Sequence, residues 1–302
     1  MGWLEETQAA IASVAEGVGP SVVGVGQRWG VGSGVVVQPG AVLTNAHNVR
    51  GDEVEITFSD GSTATGRAAG ADIDGDVAVV SVDTASAAPI RWDNGSAPLA
   101  LGAPVFALSN PGGRGLRVTL GLVSGTERSF RGPRGRRISG SIEHTSPLLP
   151  GSSGGPIVDA SGGFLGLNTN RLGEGFYLAI PADDDLRQRV SALARGDSPD
   201  RPRLGIGVAP PRVARGLRRA VGLPELEGLL IRAVQEESPA ARAGLSEGDL
   251  IVEAGGRTAS SADALYAAIE DAGPAGTLEL KLVRGTGERT VTVSLSPSDR
   301  DG

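Results

Sequence analysis

The residues best suited to chemistry lie in the stretch LLPGSSGGPIVD, positions 148–159. Gly151, Ser153 and Gly155 fit the pattern G-x-S-x-G, in which a turn presents a serine as a nucleophile. A Walker-type phosphate loop would end in a lysine, and the one lysine of the chain is Lys281. A flexible linker is disfavoured because apolar segments continue on both sides. The pattern therefore predicts that Ser153 is a nucleophile.

A serine nucleophile needs a neighbouring general base, most often a histidine. The chain has 2 histidines, His47 and His144, and both precede Ser153. This order excludes the α/β-hydrolases, in which the histidine follows the serine, and leaves the order His, Asp, Ser of chymotrypsin-like β-barrels. His47, at the end of an apolar strand, is predicted to be the base. His144 is too close to Ser153 along the chain, so we interpret it as a structural or pocket-lining residue.

The carboxylate that orients the base is expected in ADIDGDVAVV, which offers Asp72, Asp74 and Asp76. Asp76 adjoins the apolar run 77–80 and should be the most buried of the three. Burial lets a carboxylate hold the imidazole tautomer without screening by solvent. Asp72 and Asp74 are expected in a solvated turn, and the cluster lacks the spacing of a calcium-binding loop.

The composition excludes several other kinds of function. The formal net charge of −7 argues against nucleic acid as a partner, and the arginines between 128 and 137 are interpreted as a solvated loop. Because there is no cysteine, thiol catalysis, disulfides and thiolate metal sites are impossible. Two histidines so far apart do not predict zinc. We expect neither a metal nor a cofactor.

Turn residues divide the 302-residue chain into short apolar stretches. From 21 to 180 these predict many short strands in antiparallel barrels or sandwiches, not βαβ units. Residues 182–195 should be helical, and the polar segment 196–203 should be a linker. The predicted organisation is a helical segment 1–20, a first domain 21–195, the linker 196–203 and a second domain 204–297. The second domain should contain a helix capped by Ser238, a strand, a second helix and a closing hairpin.

The N-terminal stretch starts acidic and lacks the apolar run of about seven or more residues found in a secretory signal. No stretch approaches the roughly 20 apolar residues of a membrane span. We therefore predict a cytoplasmic protein, or a cell-envelope protein if an export segment is missing from this sequence. One face of a short helix is predicted here from five apolar residues, Leu4, Ala9, Ile11, Val14 and Val18.

Taken together, these motifs resemble the HtrA/DegP family of serine proteases. The resemblance rests on TNAHNV at His47, DGDVAVV at Asp76, PGSSGGPIV at Ser153, LSNPGG…VTLGLVSG within 108–125, EGFYLAIP at 174–181 and SPAARAGLSEGDLI at 238–251. It covers nearly the whole chain. It implies a mainly β fold, in which a chymotrypsin-like double six-stranded antiparallel β-barrel is followed by one PDZ domain. It also implies a trimer with ATP-independent endopeptidase activity on unfolded or damaged proteins.

The resemblance also implies an oxyanion hole in the nucleophile loop. The backbone N–H groups of Gly151 and Ser153 would form it, with Ser152 between them. The usual family sequence is NPGNSGGP, whereas Leu149 and Ser152 replace both asparagines here.

Two binding sites follow from the same resemblance. Trypsin-like proteases that cleave after Arg or Lys carry an acid six residues before the nucleophile, where this chain has a proline. The implied pocket therefore favours small or medium aliphatic side chains. In RLGIG, backbone N–H groups would receive the terminal carboxylate of a peptide. The pocket residues are Pro147, Leu148 and Leu149, and the carboxylate-binding residues are Leu204, Gly205 and Ile206.

Two other functions compete with the endopeptidase. A non-proteolytic chaperone or scaffold would use the PDZ domain alone, but such a protein has no need of an intact His47, Asp76 and Ser153. A small-molecule esterase could use the same three residues. The PDZ domain disfavours an esterase, because its groove accepts a peptide by strand addition.

Overall fold

A computed structural model of the chain describes residues 2–26, 32–85, 87–92, 99–132, 137–199, 202–273 and 276–295. The chain divides into two compact units, Met1–Pro199 and Asp200–Gly302. The division falls within the segment 196–203, while the domain bounds given above stay predictions. Among the described residues, no helix is both long enough and apolar enough to cross a bilayer.

The first barrel of unit 1 closes in the strand order β1-β2-β3-β6-β5-β4, with every neighbouring pair antiparallel. Its interior is filled mainly by valines, as expected for a chain poor in aromatic residues. Closure pairs each described strand on both sides, so this barrel has no free sheet edge among the described residues. The strands are β1 (Val22–Val25), β2 (Gly32–Gln38), β3 (Ala41–Thr44), β4 (Glu53–Thr57), β5 (Thr63–Asp72) and β6 (Val77–Ser81).

The apolar stretches that predict strands do not include β5, because its sequence TATGRAAGAD is poor in strand-forming residues. Close packing explains this composition. A Cβ atom at Gly70 would lie 2.7 Å from the carbonyl oxygen of Leu193, a residue of a helix that packs on this strand. Small residues in β5 therefore let the helix approach the barrel.

The second barrel closes in the order β10-β11-β12-β9-β8-β7, again antiparallel. A continuous cluster of buried side chains joins it to the first barrel and to two helices. The prediction of a mainly β fold with two six-stranded barrels is confirmed. The strands are β7 (Pro104–Ser109), β8 (Arg117–Arg131), β9 (Arg137–His144), β10 (Pro156–Val158), β11 (Phe164–Gly173) and β12 (Phe176–Pro181). The interpretation of the arginine-rich segment as a loop is wrong for its described arginines, because Arg128 and Arg131 lie in β8 and Arg137 lies in β9. Residues 133–136 lie outside the described residues.

Two helices cover the barrels. In α1 (Trp3–Val18), Val14 and Val18 are buried as predicted, but Leu4 and Ala9 are exposed, so the predicted face is wrong in its first half. The helix α2 (Asp184–Ala194) begins at Asp183, whose carboxylate accepts the N–H of Leu186. Its buried residues, Leu186, Val190 and Leu193, pack into the cluster that joins the barrels.

The described residues of unit 2 form one antiparallel sheet with three helices. Its strands run in the order β13-β14-β15-β17-β18, and β16 pairs with β15. Ser238 caps α4 as predicted, accepting the N–H of Ala241. The strands are β13 (Ile206–Ala209), β14 (Leu229–Val234), β15 (Leu250–Ala254), β16 (Arg257–Thr258), β17 (Thr277–Arg284) and β18 (Gly287–Ser294); the helices are α3 (Pro211–Ala220), α4 (Pro239–Arg242) and α5 (Ala262–Ala272).

The helix α3 is not predicted from the sequence. Its buried residues are Ala214 and Arg218, so it lacks the apolar periodicity that indicates a helix. The guanidinium of Arg218 donates to the carbonyl oxygens of Pro224 (2.8 Å) and Gly285 (3.0 Å). Backbone carbonyls thus accept some of the hydrogen bonds of this buried guanidinium and hold α3 against the rest of unit 2.

Candidate active site

The three predicted catalytic residues lie in turns and loops of unit 1. His47 lies in the short 3-10 turn Ala46–Asn48, which follows β3. Asp76 lies in the turn between β5 and β6, and Ser153 lies in the loop between β9 and β10. The predicted base and acid therefore come from the first barrel, and the predicted nucleophile comes from the second.

The imidazole of His47 is held by the carboxylate of Asp76. Nδ1 of His47 lies 2.9 Å from both carboxylate oxygens, and the backbone N–H of His47 donates to Oδ1 at 3.2 Å. The proton belongs on Nδ1 in this arrangement, which leaves Nε2 unprotonated as the basic atom. Asp76 is 2% exposed, whereas the side chain of His47 is 38% exposed, so the acid is buried and the base is accessible.

Two further side chains support Asp76. The hydroxyl of Thr169 in β11 donates to Oδ2 at 2.6 Å, and the amide of Asn45 donates to the backbone oxygen of Asp76 at 2.9 Å. Asp76 has a φ of 54°, in the left-handed region that non-glycine residues rarely adopt. These contacts offset the cost of that conformation, which is of order 1–3 kcal/mol. Sequence reasoning missed both residues, since nothing in their local sequence marks them.

The expectation that Asp72 lies in a solvated turn is wrong. Asp72 is 2% exposed, its Oδ1 accepts the N–H of Gly75 at 2.9 Å, and its Oδ2 lies 3.6 Å from Nη1 of Arg189 in α2. Asp74 is half-buried. Asp72 thus links the turn that carries Asp76 to the helix α2.

The hydroxyl of Ser153 donates to the carbonyl oxygen of Thr169 at 3.1 Å. A hydroxyl has one hydrogen, so in this conformation its proton is not shared with Nε2 of His47. Proton transfer to His47 therefore requires a rotation about the side-chain bond of Ser153. Thr169 contacts both the acid, through its hydroxyl, and the nucleophile, through its carbonyl oxygen.

The loop around Ser153 leaves two backbone donors open. The N–H of Ser152 donates to Leu149 at 3.1 Å, and that of Gly154 donates to Asn168 at 2.8 Å. Among the residues that the structure describes, the N–H groups of Gly151 and Ser153 have no acceptor. This arrangement supports the predicted oxyanion hole, with Ser152 contributing only its position between the two donors.

The conformation of the loop around Ser153 depends on two of its glycines. Gly151 has a φ of 87°, a conformation that costs other residues free energy. A Cβ atom at Gly154 would collide with the carbonyl oxygen of Ser33 in β2. The side chain of Ser152 is buried, and its hydroxyl donates to the hydroxyl of Ser109 at 3.1 Å.

The predicted specificity residues do not form one buried wall. Leu148 is half-buried and packs against the apolar interior of the second barrel. Pro147 is exposed, and Leu149 is 53% exposed. Their assignment to a substrate pocket stays a prediction.

His144 is fully buried in β9. Its Nε2 lies 2.9 Å from Oδ1 of Asn168, and its ring stacks on Tyr177 with centroids 5.9 Å apart. Burial lowers the pKa of His144 to about 4, against a smaller opposing effect of the hydrogen bond with Asn168. The ring is therefore neutral at physiological pH, as suits a structural residue.

The predicted carboxylate-binding segment leads into β13, an edge strand of its sheet, and its third residue, Ile206, begins that strand. Leu204 is buried, and the carbonyl oxygens of Leu204 and Gly205 accept the N–H groups of Ala240 (3.0 Å) and Gln235 (2.8 Å). Within the described part of unit 2, the N–H groups of Leu204 and Gly205 donate to no protein acceptor. The outer edge of β13 pairs with no described strand. Carboxylate binding at Leu204, Gly205 and Ile206 stays a prediction.

Comparisons with known proteins assign both units to families. Residues 32–167 match the trypsin-like peptidase domain family, and residues 202–295 match the PDZ domain family. A periplasmic DegP-like serine endoprotease of Halomonas elongata is 34% identical over 275 residues, covering 89% of this chain and 57% of that protein. The serine protease HhoA of Synechocystis is 34% identical over 279 residues, covering 87% of this chain and 70% of that protein. The chain thus spans little more than half of one relative and about two thirds of the other.

Solved structures of related proteins share the fold of this chain. A serine endoprotease from Yersinia pestis superposes with a TM-score of 0.63 at 24% identity, covering 96% of this chain and 98% of that one. The HtrA-type protease AlgW with a tripeptide gives a TM-score of 0.58 at 26% identity, covering 96% and 99%.

Proposed function

Because this chain belongs to the HtrA/DegP family of serine proteases, we propose that it is an ATP-independent serine endopeptidase that cleaves unfolded or damaged proteins. One observation carries the proposal: the buried carboxylate of Asp76 holds Nδ1 of an accessible His47 at 2.9 Å. A histidine that is only structural has no need of a buried acid on one side and an open face on the other. The open face is where a serine proton would be received.

The reaction follows from these positions. The Oγ of Ser153 attacks the carbonyl carbon of the scissile bond, and its proton passes to Nε2 of His47. Asp76 stays ionised and stabilises the imidazolium that forms. The imidazolium then gives its proton to the leaving amine, and the acyl group remains on Ser153. A water molecule, deprotonated by His47, attacks this ester and releases the second product.

The oxyanion is stabilised by the open donors of the nucleophile loop. The negative oxygen of each tetrahedral intermediate would accept the N–H groups of Gly151 and Ser153. Loss of one such donor costs roughly 10²–10³-fold in kcat in serine proteases. A loop whose neighbouring N–H groups are already bonded suits this role, because the two remaining donors stay available to the substrate.

The preferred substrate has an aliphatic residue before the scissile bond. Pro147, Leu148 and Leu149 offer no carboxylate to pair with a buried Arg or Lys side chain. An unpaired buried cation would cost several kcal/mol, whereas a buried aliphatic side chain gains roughly 1.5–3 kcal/mol. Cleavage should therefore follow Val, Ala, Ile or Leu. Cuts of denatured casein that cluster after Arg or Lys would contradict this.

Unit 2 would bind C-terminal peptides. The open edge of β13 can accept an extended strand, and the free N–H groups at Leu204 and Gly205 can receive its carboxylate. The solved HtrA-type protease with a tripeptide supports a peptide ligand. Amidation of the peptide terminus should abolish binding measured by fluorescence anisotropy. Equal affinity for the amidated peptide would refute the assignment.

The cell envelope is the compartment we propose. A relative that is 34% identical is periplasmic, and the predicted cytoplasmic location has no support from the comparisons. Fractionation of the source cells, with detection by antibody, tests this directly. We carry the trimer forward from the family resemblance, to be tested by sedimentation equilibrium.

Digestion of denatured casein by the purified chain tests the activity. The expected result is cleavage without ATP that is lost in Ser153→Ala. The scaffold alternative predicts peptide binding without cleavage in either protein. An esterase would hydrolyse small esters but leave casein intact.

A further inference from the structure

Ser33 is a fully buried residue of β2 that connects the two barrels at the nucleophile loop. Its backbone N–H donates to the carbonyl oxygen of Ser153 at 2.8 Å, and its hydroxyl donates to that of Gly151 at 2.9 Å. The same hydroxyl accepts the N–H of Asn110 at 3.0 Å, and its carbonyl oxygen accepts the hydroxyl of Thr44 at 2.7 Å. One residue of the first barrel thus holds the carbonyls of the nucleophile and of a proposed oxyanion donor.

These bonds act on the peptide planes that neighbour the hole. The peptide between Gly151 and Ser152 is held at its oxygen by Ser33 and at its N–H by Leu149. The N–H of Gly151 belongs to the preceding peptide, and only the φ and ψ angles of Gly151 separate that peptide from the one that Ser33 holds.

The peptide after Ser153 is held in the same way. Its oxygen accepts the N–H of Ser33 and the amide of Asn48, and its N–H, from Gly154, donates to Asn168. The peptide between Ser152 and Ser153 lies between two hydrogen-bonded peptides, which limit the directions that its N–H can take. Each open donor thus adjoins a peptide that is hydrogen-bonded at both its oxygen and its N–H.

We propose that the hydroxyl of Ser33 is a positioning group for the oxyanion hole, acting on Gly151 through its carbonyl. The proposal rests on the endopeptidase function above. In Ser33→Ala, the carbonyl of Gly151 and the N–H of Asn110 would both lose a partner in a buried site. A buried carbonyl without a partner is unfavourable, and the glycine can turn to find another. Such a turn would carry the Gly151 N–H away from the hole.

The test compares Ser33→Ala with Ser21→Ala. Ser21 is a matched control, because its buried hydroxyl also donates to a backbone carbonyl, that of Ala88 at 2.7 Å, away from the loop. With a peptide substrate, Ser33→Ala should lower kcat by roughly 10–100-fold and change KM by less than about threefold. Ser21→Ala should keep the kcat of the unmodified chain.

A peptide aldehyde provides a readout that a purely structural role would not move. The Oγ of Ser153 adds to the aldehyde carbon, its proton passes to His47, and the former carbonyl oxygen becomes the oxyanion in the hole. The inhibition constant of the aldehyde should therefore rise with the fall in kcat. Binding of the corresponding alcohol, which places no oxyanion in the hole, should not change.

Each outcome decides the proposal. An unchanged kcat and aldehyde constant in a folded Ser33→Ala would overturn it. If Ser33→Ala does not fold, Ser33→Cys replaces it, since a thiol of similar size is a weak hydrogen-bond donor. A Ser33→Cys variant with the kcat and aldehyde inhibition constant of the unmodified chain would also overturn the proposal. If the unmodified chain fails to cleave casein, the endopeptidase function fails instead, which separates the two claims.

Discussion

Acidification should weaken the unit that carries the barrels, because His144 resists protonation inside it. Burial lowers the pKa of His144 from 6.5 to about 4. Between these values the unfolded chain binds a proton at His144 and the folded chain does not, so the free energy of unfolding falls as the pH falls. The whole difference corresponds to about 3 kcal/mol, a large part of the stability of a typical domain.

Tryptophan fluorescence can follow this unit alone, because all 3 tryptophans lie before residue 200. Urea unfolding would be measured between about pH 4 and 7. A Ser153→Ala background prevents self-digestion. His144→Gln keeps a donor for Asn168 but does not titrate, so its stability should decline less than that of the parent by up to about 3 kcal/mol.

A second buried residue of β9 controls for lost packing. The hydroxyl of Ser141 has no partner among the described residues, so Ser141→Ala should shift stability equally at every pH. Parallel stability curves for His144→Gln and its parent would refute the reasoning, because the buried ring would then contribute nothing to acid sensitivity.

Two further predictions concern other contacts. Thr169→Val removes the 2.6 Å hydrogen bond to Asp76 and should lower kcat roughly tenfold in a peptide assay, whereas Thr145→Val should not; equal rates for both would contradict the role of Thr169. In unit 2, burial raises the pKa of Asp249, but hydrogen bonds from Arg284 and a backbone N–H outweigh this effect, and the pKa is lowered overall. The carboxylate therefore stabilises unit 2 at pH values above its ordinary pKa of about 3.9. This stabilisation is lost as the pH falls further. Asp249→Asn should therefore speed hydrogen exchange in β15 and β17 at neutral pH more than in acid, and the same acceleration at both pH values would contradict this.

The side chains that meet at the candidate site could be predicted because the chain leaves few options. The chain has two histidines, and His144 is too close to Ser153 along the chain, so His47 is the predicted base. Asp76 could be chosen over its neighbours because an apolar strand follows it. The supporting contact from Thr169 could not be predicted, because 93 residues separate it from Asp76 and only barrel closure brings them together.

The missed elements share a physical cause. The strand β5 and the helix α3 lack the apolar patterns that sequence reasoning uses. In β5, small residues meet the close approach of α2, and in α3 a buried arginine donates to the distant carbonyl oxygen of Gly285. Asp72 was misplaced for a related reason, since its partner Arg189 lies in a helix far along the chain. Contacts between residues far apart in the chain thus account for β5, for α3 and for the burial of Asp72.

Covalent labelling of Ser153 tests the central claim most directly. Diisopropyl fluorophosphate should add one phosphoryl group per chain, and mass spectrometry of a digest should place it on Ser153. The rate should fall by roughly 10⁴-fold or more in His47→Ala, because the hydroxyl then has no base. An adduct on another residue, or an unchanged rate in His47→Ala, would contradict the assignment of nucleophile and base.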